Sequence, residues 1–360
     1  MGRRRRGGFR SDEILQGLLL VDKPIGLTSH DVCQKVRYAL RLGKVGHGGT
    51  LDPFATGLLP LMLNGATRLM PFLQTHDKIY EAVVRLGVKT DTLDPTGEVV
   101  QTADASGLTD EQITEAVAGF LGPQTQTIPR FSAARVDGKH LYEYARAGVE
   151  VELPTKEIEV FKIDVQSIVR GEGETIDVGL FVHASVGTYV RALADDLGTT
   201  LGVGGHLAAL RRTQAGNLSL NGAITLASIE DQAKTWRDER TALAEAGEPM
   251  RFEPLRNTNQ WRPFLGEALR PVEELLGDVA VLGVTEKLVS AVQSGTPLRK
   301  RDVDSLPGIG SVSFRPGDRL VLRHPDGMRS VALVQAKVAR DALGRLSGDT
   351  IVMQVERVLR

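Results

Sequence analysis

Apolar and polar positions along the chain follow two periods, and the switches between them mark its elements. Residues 17–24 run Gly-Leu-Leu-Leu-Val-Asp-Lys-Pro, a buried strand that stops at the proline, with Lys23 at its exit. A helical stripe follows: Ser29 serves as N-cap and Val32, Val36, Ala39 and Leu40 share one face through about Leu42. Cys33 lies beside that stripe as a small packing residue. Residues 58–63 are apolar enough to return to the core, and 78–87 alternate as a strand that begins with Lys78 and Tyr80, ahead of a polar loop at 90–94. Thr109-x-x-Gln112 has the form of a capping box, with Ile113, Val117, Phe120 and Leu121 as its stripe. The cleanest alternation covers 175–186, where Ile176, Val178, Leu180, Val182, Ala184 and Val186 fall on one face of a half-buried strand. It runs into Gly187-Thr188-Tyr189-Val190-Arg191, where a helix begins with Val190, Leu193, Ala194 and Leu197 facing inward. The pattern weakens from about Gln232 to Leu275. Short strands then return at 320–323, 330–338 and 351–358, with turns at 325–327 and 343–344, the spacing of a small β-rich domain.

Composition adds bounds. The 360 residues allow two domains and a substantial core, and 41% hydrophobic with 25% charged residues is ordinary for a globular protein. No apolar run reaches the ~20 residues of a membrane span, and no apolar stretch follows the N-terminal arginines as in a secretory leader, so the expectation is a cytoplasmic protein. A single cysteine excludes an internal disulfide and a cysteine-based zinc cluster. The net charge of −1 does not point to nucleic acid, but charge is segregated: residues 299–360 hold twelve lysines and arginines against seven acidic residues. Arg3 to Arg6 form a second basic block, within a tail of 1–15 that reads as lacking regular structure.

Chemistry concentrates at 46–60, Gly-His-Gly-Gly-Thr-Leu-Asp-Pro-Phe-Ala-Thr-Gly-Leu-Leu-Pro. Pro53 restricts Asp52 to extended backbone, so the carboxylate sits on a stiff loop. An Asp before Pro is ordinarily a turn former, and the loop lacks both the Lys-Ser/Thr ending of a P-loop and the spacing of a dinucleotide fingerprint. Arg191 sits in the first turn of a helix, where the dipole disfavours a cation, so a carboxylate or phosphate partner is expected. At 128–146 basic and aromatic residues interleave, among them Arg130, Arg135 and Lys139, a combination that suits phosphate contact and base stacking as well as a solvated face.

Gly46-His47-x-Gly49-Thr50-Leu51-Asp52-Pro53-x-Ala55-x-Gly57-x-Leu59 resembles the catalytic motif of the bacterial tRNA pseudouridine synthase B family, and further segments match in order from about Gly17 onward. The resemblance implies isomerisation of uridine 55 in the tRNA T loop. It implies Asp52 as catalytic carboxylate, Arg191 as its partner and Tyr80 stacking on the target base, placed as a proton acceptor. It further implies substrate contacts from His47, Lys23, Tyr189 and Leu210, and an RNA-gripping insertion at about 124–152 carrying Arg130, Arg135 and Lys139. The β-rich tail resembles the PUA domain that follows the catalytic domain in many members.

The chemistry wants such residues. Moving C1′ of the ribose from N1 to C5 of the base transfers no electron and loses no atom, so no redox cofactor is required. A carboxylate acts either as nucleophile or as the base that starts elimination. Burial raises its pKa and a paired arginine opposes that rise. A base in a folded loop must be flipped out to be reached. The expected fold is α/β (α+β): a mixed, largely antiparallel sheet in a catalytic domain at 16–231, a connector at 232–278 and a small PUA-like β domain at 279–360. The expectation includes no metal, no cofactor, no membrane, no obligate protein partner and a monomer acting on the tRNA T arm. Two rival readings are a tRNA-binding or remodelling protein without chemistry, which needs no Asp52–Tyr80–Arg191 set, and a guide-RNA-dependent pseudouridine synthase of the same superfamily. The 131–146 stretch favours the stand-alone form, because it provides direct grip on RNA.

Overall fold

Eight strands trace the path of the main sheet, and their burial explains the two kinds of apolar pattern. In the computed structural model, which describes residues 15–73, 77–171, 173–246 and 258–359, they are β1 (Gly17–Lys23), β2 (Thr56–Leu63), β3 (Lys78–Leu86), β4 (Gly122–Thr127), β5 (Thr155–Arg170), β6 (Ile176–Ala184), β7 (Gly205–Ala215) and β8 (Ile224–Thr225). Their spatial order is β8-β1-β2-β7-β3-β6-β5-β4, with three short strands, Val45–His47, Leu218–Ser219 and Leu269–Arg270, attached beside it. The β8–β1 and β7–β2 pairs are parallel and the others along this path are antiparallel, as expected. Five helices enter the argument: α1 (Ser29–Ala39), α2 (Asp110–Ala118), α3 (Leu141–Arg146), α4 (Val190–Thr200) and α5 (Leu226–Glu245).

Val32 and Val36 of α1, Ile113 and Val117 of α2, Leu193 and Leu197 of α4 and Leu226 and Ile229 of α5 form one core with Leu19, Val21, Leu59, Leu61 and Val84 of the sheet. On the other face, Leu18, Leu20, Leu58 and Met62 pack against Val321, Leu333 and Leu359. Strands β1 and β2 are therefore covered on both sides, which is why they read as unbroken apolar runs while β3 and β6 alternate.

The C-terminal sheet comprises β9 (Ala280–Gly283), β10 (Leu298–Arg299), β11 (Arg319–Arg323), β12 (Ser330–Ala336) and β13 (Ile351–Val358), in the order β9-β11-β12-β13-β10 around its own core. A polar seam joins it to the first sheet. Gln16 donates to Leu359 O at 3.2 Å and accepts from Ser330 N at 2.8 Å, while Glu273 Oε1 accepts from Arg323 Nη2 at 3.0 Å and from Ser330 Oγ at 2.9 Å.

Several local expectations change. Thr28, not Ser29, caps α1: it forms a reciprocal capping box with Asp31, and the helix ends at Ala39. Leu121 and Val186, placed on apolar stripes, are 59% and 38% exposed because their elements end before them. Residues 343–344 lie in a 3-10 helix, Arg340–Arg345, rather than a tight turn. Position 231, where the first unit was drawn to end, lies inside α5, whose Trp236 packs on Trp261 with ring centroids 4.4 Å apart. Trp261, Leu265 and Ala268 join the main core and Leu269–Arg270 pairs with β1, so much of the weakly patterned stretch belongs to the first sheet. The 1–14 part of the basic tail and the 247–257 part of the connector lie outside the described residues.

Candidate active site

Asp52 leads a tight turn, with Pro53 at its second position and Ala55 N donating to Asp52 O at 3.1 Å. Three neighbours hold this turn. Ser29 Oγ donates to Leu51 O at 3.0 Å and accepts from Leu51 N at 2.8 Å, so the residue misread as a helix cap clamps the backbone just before Asp52. Gly26 N donates to Pro53 O at 2.8 Å. Lys23 Nζ donates to Pro24 O at 3.0 Å, Pro53 O at 3.2 Å and Ala55 O at 2.6 Å.

Lys23 is 0% exposed, and burial lowers its pKa to about 8, with Asp52 opposing and Arg212 adding to the fall. Its ammonium group donates to backbone carbonyls beneath the loop, which places it as a support under the site. Gly57, at φ +98°, turns the chain into β2, where a Cβ would stand 2.3 Å from Arg212 O.

Arg191 enters from the start of α4 and finds the partner that its position requires. Its Nε stands 2.9 Å from Asp52 Oδ2 and its Nη2 donates to Asp52 Oδ1 at 3.4 Å. The same guanidinium donates to Thr92 O and Phe131 O, each at 2.9 Å, and Nη1 lies 3.5 Å from Asp94 Oδ2. Asp94 is itself fixed by Thr92 Oγ1 at 2.8 Å, Thr96 N at 2.9 Å and Thr96 Oγ1 at 2.6 Å. The Arg191 side chain is 5% exposed, that of Asp52 32%, which leaves one side of the carboxylate open. Burial raises the Asp52 pKa; Arg191 opposes that rise and Asp94 reinforces it.

Tyr80 on β3 is 8% exposed and stands opposite Arg212 in the β3–β7 ladder. Burial raises its pKa, Arg212 opposes the rise and nearby Asp52 adds to it. His47 is half-buried, with Nδ1 enclosed and without a hydrogen-bond partner among the described residues; burial, then Arg212, lowers its pKa. Tyr189 precedes α4 with its backbone held by Gln126, N to Oε1 at 2.8 Å and Nε2 to O at 3.1 Å; burial raises the pKa of its hydroxyl, Ser132 and Arg191 oppose the rise and Asp52 adds to it. Leu210, 8% exposed, lines a recess of about 540 Å³ with Phe54, Pro95 and Leu180.

Asp52, Arg191, Tyr80, His47, Lys23 and Tyr189 thus converge. Arg130, Arg135 and Lys139 do not: they are exposed on the 124–152 stretch, where Arg135 meets His140 Nε2 at 3.3 Å and Lys139 lies 5.9 Å from the centre of the Tyr144 ring. That stretch reaches the site through the Phe131 carbonyl on Arg191 and the Gln126 side chain on the Tyr189 backbone.

Residues missed by sequence reasoning are Asp94, Ser29 and Arg212. Asp94-Pro95 repeats the Asp52-Pro53 pair, a signal that was present. Arg211 and Arg212 are adjacent on a strand, so they face opposite ways, and one arginine had to enter the covered side. Arg211 pairs with Asp22 at 2.7 Å and Arg212 is the buried one, 1% exposed.

Residues 37–190 match the model of the TruB family pseudouridylate synthase N-terminal domain, and 191–277 that of the tRNA pseudouridylate synthase B C-terminal domain. A tRNA pseudouridine synthase B of Geobacter sulfurreducens is 38% identical over 344 residues, 96% of this chain and 99% of that protein. The chain belongs to the TruB family. The namesake from Corynebacterium efficiens is 47% identical over 230 residues, 64% of this chain and 77% of the relative. Among solved structures, an H/ACA ribonucleoprotein bound to a substrate RNA containing 2′-deoxyuridine aligns with TM-score 0.59 and 25% identity, covering 96% of this chain and 85% of that one. The two matched TruB regions meet at residue 191, so the Asp52–Arg191 pair joins one to the other.

Proposed function

We propose that this protein converts uridine 55 in the T loop of tRNA to pseudouridine, with Asp52 as its catalytic carboxylate. Pseudouridine formation in tRNA is the family's activity, named in the relatives at 38% and 47% identity. The observation that carries the residue assignment is the one-third-exposed Asp52 carboxylate held by a buried arginine at 2.9 Å. An ionised carboxylate fixed at the mouth of a buried site has the reactivity that cleavage of the N1–C1′ bond requires, whether it attacks C1′ or removes the C2′ proton. Tyr80 gives the flipped base a stacking face and an oxygen to receive the C5 proton once the base has rejoined through C5. Arg191 keeps Asp52 ionised and oriented. His47 contacts the displaced loop, and Arg130, Arg135 and Lys139 grip the arm's phosphates. The basic C-terminal sheet docks the tRNA body, acting as the accessory domain read from the sequence.

Action as a stand-alone monomer is supported by the 99% coverage of a relative named as a tRNA pseudouridine synthase, against 25% identity to the chain from the H/ACA ribonucleoprotein. The test is a bare T-arm stem-loop incubated with purified protein. Pseudouridine should form without other components, and Asp52→Asn should abolish it while RNA affinity stays within a few fold, because phosphate and shape contacts carry binding. Turnover by Asp52→Asn, with deamidation excluded by mass spectrometry, would remove Asp52 from its role. A stem-loop that reacts only with added guide RNA or partner protein would favour the rival reading.

A further inference from the structure

Arg212 is a buried cation of an unusual kind. It is 1% exposed, yet no carboxylate among the described residues forms an ion pair with it. Its Nε donates to Leu58 O at 2.8 Å and its Nη2 to Gly49 O at 3.1 Å, both neutral acceptors. Its third neighbour is Tyr80, directly across the ladder, near enough for the guanidinium to lower the pKa of the phenol. Two glycines of the 46–60 loop make room for it. A Cβ at Gly49 would stand 3.3 Å from Arg212 Nη1, and one at Gly57 would collide with the Arg212 backbone. Folded proteins ordinarily cancel a buried charge with a paired one. Here the fold keeps the charge and omits the partner, which implies that a negative charge arises beside it during the reaction.

We propose that Arg212 is a positioning residue that acts through Tyr80, as the counter-ion of the phenolate that takes the C5 proton from the target base. This rests on Tyr80 being the proton acceptor. In the step, Tyr80 first yields its hydroxyl proton to water. Once C5 has bonded to C1′, the phenolate oxygen takes the C5 proton. The C–H electron pair closes the C5–C6 double bond, and the pair displaced from N1–C6 settles on N1, which takes a proton from solvent.

The charged and titratable groups at this corner come from each segment packed there. They are Lys23 of β1, His47 of its short strand, Asp52 of the loop, Lys78 beside Tyr80 on β3, and Arg212 of β7. Arg212 lowers the pKa of Lys23, His47 and Lys78, and lowers that of Tyr80 against a larger rise from burial. Asp52 is the one acid among them, and it opposes the phenolate.

The experiment is single-turnover kinetics at saturating tRNA, with hydrogen or deuterium at C5 of the target uridine, across a pH series. In Arg212→Gln the rate at neutral pH should fall about 10²-fold, within the range of a general-base contribution. The C5 isotope effect should grow and the alkaline rise in rate should move to higher pH. A fluorinated tyrosine at position 80, with a lower phenol pKa, should restore much of the rate. Arg212→Met, which replaces the buried charge by an apolar chain, carries the same tests if the Gln variant does not fold. Folded variants that lose stability or affinity while rate, isotope effect and pH profile stay at wild-type values would overturn the proposal, as would failure of the fluorinated residue to rescue. Tyr80→Phe separates the two layers. If it leaves C5 proton removal intact, the reading of Tyr80 fails. If it impairs that step and the Arg212 variants do not, the counter-ion alone fails.

Discussion

Two acid–arginine contacts in this molecule do opposite work. At the seam between the sheets, Glu273 is the buried member, 8% exposed, and shares Oε1 between Ser330 and an arginine, Arg323, whose side chain stays 38% exposed. At the site, the arginine is the buried member and the acid keeps a third of its side chain in the open. The seam uses charge to fix one surface against another. The site uses it to hold a carboxylate, the proposed reactive group, that is only partly satisfied, and burial leaves the Asp52 pKa raised despite Arg191. A carboxylate fully paired on every lone pair would be well held and chemically inert.

That contrast breaks most visibly at Arg191. Arg191→Met should lower the saturating single-turnover rate about 10³-fold, the scale of losing a charged group that orients and stabilises a reacting one. It should also move the acid limb. On the proposed role Asp52 works ionised, so activity should fall as pH drops through its folded-state pKa, which already lies above the ordinary carboxylate value. Without Arg191 that pKa rises further, and the acid limb should shift to higher pH. An unshifted limb in a folded variant would show that Arg191 does not govern the ionisation of Asp52.

Asp94→Asn sharpens the comparison with a smaller change. Asp94 raises the pKa of Asp52 and anchors Nη1 of the arginine at 3.5 Å. The amide keeps the shape and removes the charge. The acid limb should therefore move to lower pH while the rate falls about 10- to 100-fold from looser positioning. An acid limb that rises would contradict the assigned sign.

Lys23→Met tests the support beneath the loop. It strips donors from three carbonyls, two of them in the Pro53–Ala55 segment, and should cost about 1–3 kcal/mol of stability per group left unsatisfied. Thermal unfolding checks this. RNA affinity should hold, since Lys23 is fully buried; a variant that unfolds normally but binds RNA poorly would favour the substrate-contact reading.

How much could be read beforehand follows the range of each interaction. Strand β6 and the capping box of α2 were legible because the residues that form them are neighbours in sequence. The strain of a cation at the start of α4 was also local, so a partner for Arg191 could be anticipated. Ser29 was misread because a serine before a helix has a common local use, whereas its hydroxyl is taken by a backbone 22 residues away. Arg212 and Asp94 left local signs, but their roles stayed unread for the same reason: their partners come from the opposite strand and a distant helix. The stretch after 231 looked unpatterned because Trp236 and Trp261 meet across a gap in sequence rather than within one period.

The smallest expected effect lies at the seam itself. Cutting the chain near residue 280 would bare Leu18, Leu20, Leu58 and Met62, so truncation would confound loss of RNA contacts with loss of core. A single change is cleaner. Glu273→Gln keeps the volume and removes the charge opposite Arg323, and should cost about 1–3 kcal/mol, the range for weakening a buried charged hydrogen bond. The C-terminal sheet keeps its own core and stays folded. A seam that holds less tightly lets that sheet sample more orientations, and a bound tRNA body must then fix it again. Affinity for full-length tRNA should fall a few fold, while affinity and saturating rate on a T-arm stem-loop stay unchanged, because Asp52, Arg191 and Tyr80 lie on the other side of the core. Equal weakening on both RNAs would mean that the seam feeds the catalytic loop directly, through β1 and Lys23, and that the two acid–arginine contacts are coupled rather than independent.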